Sequence, residues 1–181
     1  NIVFSINLDM IGRLRHSQLH VFGGRSAVGL ETLVTYANNR HENKSLELIF
    51  NWKITPDSDH YPFLKAEVPT LMFHTGLHPD YHRPSDDVHL VNFEGIESVL
   101  EVVFQTLLQV ANNAGDTLSF RRTAFSETNA SRKKLEEKAF LPAGSRGRWG
   151  IGIRDDPANP VAPVVVGIRV GSPAERSQLK I

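Results

Sequence analysis

Cysteine is absent from the 181-residue chain. That excludes disulfides and thiolate metal ligation, so any metal site must be built from nitrogen and oxygen donors. It leaves the compartment open, because many secreted proteins also lack cysteine. Net charge is missing too: 20 lysines and arginines balance 20 aspartates and glutamates, so no molecule-wide field exists to attract nucleic acid or acidic surfaces. A membrane-spanning run is also lacking. The longest mostly apolar stretch, Val99 to Val110, is interrupted by Glu101, Gln105 and Gln109, a composition that suits a packed helix rather than a bilayer. With 40% hydrophobic and 22% charged residues, the chain reads as a folded globular protein, long enough for one domain plus part of a second.

The chain opens on Asn1 and enters at once the strand-like run Ile2 to Leu8; it closes on Ser177-Gln178-Leu179-Lys180-Ile181 without a recognisable stop. Both ends read as cuts, and any signal peptide would then lie upstream.

Short runs rich in Val, Ile, Leu, Phe or Trp predict strands at Ile2–Leu8, Gln18–Phe22, Leu46–Trp52 and Thr70–His74. Between them, Val28, Leu30, Leu33, Val34 and Ala37 recur at helical spacing from Ser26 to Asn38. A longer helix is predicted from about Asn92 to Asn112, with Ile96, Val99, Leu100, Val103, Phe104, Leu107, Leu108 and Ala111 forming a stripe that must cover a sheet. This alternation predicts an α/β domain with a mostly parallel sheet, flanking helices and binding crevices beyond the carboxyl ends of the strands. It is expected over residues 1–114. A charged segment with few large apolar residues, 115–148, reads as a linker with a helix near Ser131–Phe140. From Trp149 to Ile181 a second, β-rich unit begins, with strands at Trp149–Ile153 and Val164–Ile168.

Three groups of residues could carry chemistry. Asp9 ends the first strand, where its carboxylate can project into the crevice; it can also simply cap a turn before Gly12. His82 lies in Pro79-Asp80-Tyr81-His82-Arg83-Pro84-Ser85-Asp86-Asp87, a loop dense in ionisable groups. An imidazole and a carboxylate brought together by the fold suit zinc. The third group, Asp57-Ser58-Asp59-His60-Tyr61-Pro62-Phe63, can orient ligands or substrate, or start a short helix with Ser58 or Asp59 as its cap. His16, His20, His41, His74, His78 and His89 fall in no comparable cluster, apart from His78 near the loop, and read mostly as surface or core residues.

The order of these motifs carries a resemblance: Asn7-x-Asp9-Met10-Ile11-Gly12, then Ser58-Asp59-His60-x-x-Phe63, Val68-Pro69, Gly76 and Tyr81-His82-x-x-x-Asp86. Together, across roughly residues 1–113, they resemble the co-catalytic two-zinc aminopeptidases, a family that also includes bacterial leucyl aminopeptidases, glutamate carboxypeptidase and the catalytically silent transferrin receptor. The resemblance implies two zinc ions per complete catalytic domain, with Asp9 a ligand of one and His82 of the other. It implies that Tyr81 helps hold the substrate carbonyl or the oxyanion, though a packed tyrosine is the competing explanation. Asp86 would fix its loop, Asp87 departs from a commoner threonine, and Ser58, Asp59 and His60 would shape the pocket or support the ligands.

The same resemblance demands an upstream His-x-Asp, for one ligand and the metal bridge, and an upstream Glu-Glu, for the general base and another ligand. Neither precedes Asp9; His78-Pro79-Asp80 and Glu136-Glu137 carry the letters in the wrong order. The chain alone is therefore expected to be inactive, as part of a longer metallo-aminopeptidase that releases N-terminal residues from peptides. A non-catalytic binding member of the fold and a glutaminyl cyclase-like enzyme are the alternatives.

Trp149-Gly150-Ile151-Gly152-Ile153, Val164-Val165-Val166 and Val170-Gly171-Ser172-Pro173-Ala174 resemble the first part of a bacterial PDZ domain, although Ser172-Pro173-Ala174 could merely start a helix. The resemblance implies capture of a peptide terminus by strand addition. Peptide or protein substrates are the expected partners, nucleic acid is not, and family analogy points to a secreted or periplasmic location.

Overall fold

A computed structural model describes residues 2–40, 45–112, 118–139, 151–156 and 159–168. Two compact units divide the chain, Asn1–Glu127 and Thr128–Ile181.

In the first unit, strands β1 (Ser5–Leu8), β2 (Gln18–Phe22), β3 (Glu47–Asn51) and β4 (Thr70–His74) form one sheet in the order β1-β4-β2-β3. The pairs β1–β4 and β2–β3 are parallel, as the α/β reading expects, and β2–β4 is antiparallel. The expected first strand shortens at its start to Ser5, and the third loses one residue at each end.

Period-two alternation sorts the side chains between the two faces. On one face Leu19, Val21, Leu71 and Phe73 are wholly buried, and they join Leu30, Val34, Val99, Val102 and Val103 in a single core. The last five come from helices α1 (Leu30–Asn39) and α3 (Phe93–Asn112), which pack on each other. The predicted stripe of α3 is thus confirmed at Val99 and Val103, whereas Leu100, Phe104, Leu107 and Leu108 stay exposed. Asn92 caps α3 by accepting the Gly95 amide, while its own side-chain amide donates to the Leu14 carbonyl.

The opposite face presents Phe22, Met72 and His74, with Phe22 opposite Met72 and His20 opposite His74 across β2–β4. The short helix α2 (His60–Lys65) packs against β4 and β1, burying His60 and Leu64. Just past β2, Gly23 turns the chain at φ +78°, and a Cβ there would stand 2.2 Å from the Thr70 carbonyl oxygen. Only glycine meets both conditions.

The first stretch of the segment expected as a linker, residues 118–127, instead belongs to the first unit. Phe120 bridges Ala27, the Arg121 amide donates to the Ser26 carbonyl, and the Glu127 carboxylate accepts hydrogen bonds from both Arg25 and Arg121. The Arg25 guanidinium also lies 4.0 Å over the Trp52 ring. Leu118 packs against the core and Ala124 is buried, but the polar attachments leave no sign in the hydrophobic pattern.

In the second unit, α4 (Asn129–Ala139) realises the expected charged helix, with Thr128 accepting the Ser131 amide as its cap. Strands β5 (Ile151–Asp156) and β6 (Asn159–Ile168) pair antiparallel. The Gly171-Ser172-Pro173-Ala174 turn and Trp149-Gly150 lie outside the described residues. Among the described residues no helix is long and apolar enough to cross a membrane.

Candidate metal centre and cleft

At the end of β1 the backbone fixes Asp9 before its side chain is considered. The Asp9 amide donates to the Phe73 carbonyl, and Met10 then turns left-handed at φ 56°. Thr75 secures that turn, donating both its amide and its hydroxyl to the Met10 carbonyl. Asp9 follows Asn7 by two residues and so continues the face that holds Met72 and His74. Asn7 donates to the Ser58 hydroxyl at 2.7 Å, and Ser58 donates to Asp9 Oδ2 at 2.6 Å. This Asn7–Ser58–Asp9 chain orients the carboxylate and uses one of its two oxygens.

Across the cleft, the loop after β4 carries Tyr81 and His82. Their rings stack at 3.9 Å, and His82 holds the left-handed backbone at φ 55°, a conformation that costs a non-glycine residue energy and concentrates at functional sites. The Arg83 amide closes the turn onto the Asp80 carbonyl. Beneath the loop lies Arg13, which contacts the Leu90 carbonyl, Asp80, Asp86 and His78.

Asp9, Ser58, Tyr81, His82 and Asp86 all line one cavity of about 770 Å³, with Phe22, Met72, Leu77 and Val91 giving it apolar walls. Of the residues singled out from sequence, Asp59 and His60 are not on this lining. Asp59 is exposed, and His60 is buried in α2 with neither ring nitrogen hydrogen-bonded. Burial holds the His60 pKa below the ordinary imidazole value, against the opposing pull of Asp57 and Asp9. Asp57, from the same sequence group as Ser58, also lines the cavity, and three further lining residues escaped the sequence reading or were set aside by it: Arg13, His74 and His78. His74 is half-buried and its Nδ1 accepts the Gly76 amide at 2.7 Å. Burial lowers its pKa as well; Asp9 opposes the shift and the neighbouring His20 adds to it. The one sequence cue for His74 was its position at a strand's carboxyl end, two residues before Gly76.

Among the described residues no group of three or more histidines, aspartates or glutamates is gathered closely enough to hold a metal. Asp9 and His82 are of the right donor type for zinc, but each would supply one ligand where a structural or catalytic zinc takes three or four from protein. The donors present therefore fit as part of a larger set.

The family model of peptidase family M28 matches residues 1–107. Solved structures with a similar fold include the LapA aminopeptidase of Legionella pneumophila, with a TM-score of 0.51 and 16% identity over 60% of this chain and 31% of that one. BSAP, a zinc aminopeptidase from Bacillus subtilis, gives 0.48 and 24% over 59% of this chain and 28% of that one. The aminopeptidase of Aneurinibacillus sp. strain AM-1 gives 0.48 and 21% over 66% and 26%. The chain thus spans about a third or less of the length of these structures, and the likeness to LapA is one of fold. No curated protein sequence matches the chain. Because the match to the family model takes in more than half of its residues, the chain belongs to peptidase family M28.

Proposed function

We propose that this chain is the C-terminal part of the catalytic domain of a zinc-dependent aminopeptidase, in which Asp9 and His82 are ligands of separate ions. One observation carries the reading: a single cleft gathers Asp9, Ser58, Tyr81, His82 and Asp86 from segments far apart in sequence. Membership of a peptidase family supplies the reaction class, and the order of motifs that resembles co-catalytic zinc aminopeptidases supplies the metal and the count of two ions. When bound, such ions activate water and polarise a carbonyl.

The residues of this chain orient and bind. Asn7 and Ser58 hold the Asp9 carboxylate, Tyr81 stands beside His82 where its hydroxyl can reach a substrate carbonyl, and Phe22, Met72 and Leu77 offer an apolar wall to a peptide side chain. His60 is buried in α2 behind the cleft, and Asp59, exposed just before that helix, does not line it. Asp9 and His82 would supply one ligand each, so this reading needs further ligands and a general base to complete the two-ion centre. The β5–β6 pair supports a sheet in the second unit, which we assign to the start of a PDZ domain that captures substrate or partner termini. A secreted or periplasmic setting accords with degradation of external peptides.

The test uses the natural full-length protein and peptides with a free N-terminus. Release of the first amino acid should be abolished by a chelator, restored by zinc, and reduced at least about a hundredfold by Asp9→Ala or His82→Ala, the loss of a metal ligand exceeding that of its outer-shell support. Product mass separates hydrolysis from cyclisation, which would lose ammonia instead. Peptide binding without turnover would make this a binding member of the fold, and undiminished activity in both variants would sink the ligand assignment.

A further inference from the structure

We infer that Arg13 is a positioning residue: it clamps the loop bearing Tyr81 and His82 against the β1 end that bears Asp9, and so sets the distance between the two sides of the cleft. The inference rests on the proposed roles of Asp9 and His82, but its geometry stands without them.

Arg13 lies four residues after Asp9, in the 3-10 turn Ile11–Arg13 that follows the left-handed Met10. Its position is therefore tied to the same backbone that fixes the carboxylate. From there its guanidinium spreads over one loop. Nη1 donates to the Leu90 carbonyl at 2.8 Å, Nη2 donates to Asp80 Oδ2 at 2.9 Å and lies 3.3 Å from Asp86 Oδ1, and His78 Nδ1 is 3.5 Å away. These contacts bracket Tyr81 and His82 on both sides, at residues 78, 80, 86 and 90. Asp80 is itself held by the Ser85 hydroxyl at 2.8 Å, and the second Asp86 oxygen lies 3.7 Å from His78 Nε2.

Arg15 holds the start of the loop, donating to the Leu77 carbonyl at 2.7 Å, but among the described contacts Arg13 is what reaches the stretch on both sides of Tyr81 and His82. The stretch's own amide bonds are local turns, Tyr81 to His78, Arg83 to Asp80 and Asp86 to Arg83, which shape the loop without attaching it. The next attachment is the Asn92 amide on the Gly12 carbonyl, beyond the loop's end. His82, moreover, sits at φ 55°, a conformation that persists only where the surroundings over-determine it. A planar fork with several donors suits this task, whereas an ammonium is a single point on a flexible stem. The Arg13 side chain is 14% exposed and its Nε, buried, has no partner. The chain tolerates that unmet donor at a site where the charge-assisted contacts of the two terminal nitrogens outweigh it.

Arg13→Gln, Arg13→Lys and Asp80→Asn in the natural full-length protein test the clamp, with amide hydrogen exchange and zinc titration as readouts. In Arg13→Gln the amides of Tyr81, Arg83 and Asp86 should exchange at least about tenfold faster while β4 amides keep their rates, and the histidine NMR signal of His82 should report weaker zinc binding by about tenfold, the lower end for an outer-shell loss. Arg13→Lys should restore part of both. Combined with Asp80→Asn, Arg13→Gln should cost less than the sum of the two single changes. If Arg13→Gln also loosens β4, the lysine and asparagine variants are read in its place. Loop exchange unchanged in every variant overturns the inference. If the wild-type protein binds no zinc through His82, the ligand assignment fails, and loop exchange still decides whether Arg13 is a clamp.

Discussion

At the residue scale, single side chains in this molecule act through geometry that sequence spacing cannot display. Gly23 shows it for stability. Gly23→Ala should cost about 3 kcal/mol, roughly 1 for a left-handed alanine and about 2 for forcing a methyl against packed backbone, since its Cβ would meet the Thr70 carbonyl at 2.2 Å. Urea denaturation of the two proteins measures this, and an unchanged midpoint would mean that the β2–β4 contact gives way easily. For the cleft, Asp9 and His82 were legible because each sits in a motif with a local signature. Ser58 was legible as a neighbour, and the structure shows what it does: it donates to Asp9. Arg13 and His74 were not legible. The Arg13 partners lie 65 to 77 residues away, and the role of His74 depends on which face of β4 turns toward the cleft.

At the element scale, hydrophobic period located all four strands and the two long helices of the first unit, because burial of one face is what those residues do. Ends shifted by a few residues where burial stops before the apolar run does, as at Ile2 and Val3, which stay exposed. The strap 118–127 escaped for the opposite reason. It is held by a bridge to Ala27 and by the Arg25–Glu127–Arg121 contacts, with only the isolated apolar anchors Leu118 and Ala124, too few to make a periodic trace. Burial pushes the Glu127 carboxyl up, but the hydrogen bonds from Arg121 and Arg25 outweigh it and hold the pKa below the ordinary value. Glu127→Gln should destabilise the first unit by about 2 kcal/mol, the range for a hydrogen bond between charged groups, and should speed amide exchange at Arg121 before that of β4. Equal stability of the variant would show that the strap rests there without holding.

At the scale of the whole molecule, one buried and two half-buried histidines should make stability depend on pH. Burial lowers the pKa values of His20, His60 and His74, so near-neutral unfolding takes up protons that the folded chain refuses. Stability is then fully present above the unfolded value of 6.5 and is lost as pH falls from there through the folded values. Below the ordinary carboxylate range, Glu127 should add to the loss. Melting temperatures recorded at intervals from pH 8 down to 5 should fall on the acid side, and a flat profile would contradict the burial of these rings.

The central claim is that Asp9 and His82 face one cleft as ligands of zinc. Diffraction from crystals of the natural full-length protein, recorded on either side of the zinc absorption edge, tests it most directly. The expected result is two anomalous peaks, one about 2.0–2.2 Å from an Asp9 oxygen and one about 2.0–2.1 Å from a His82 ring nitrogen. Zinc bound elsewhere, or a fully loaded protein whose peaks touch neither residue, would contradict it.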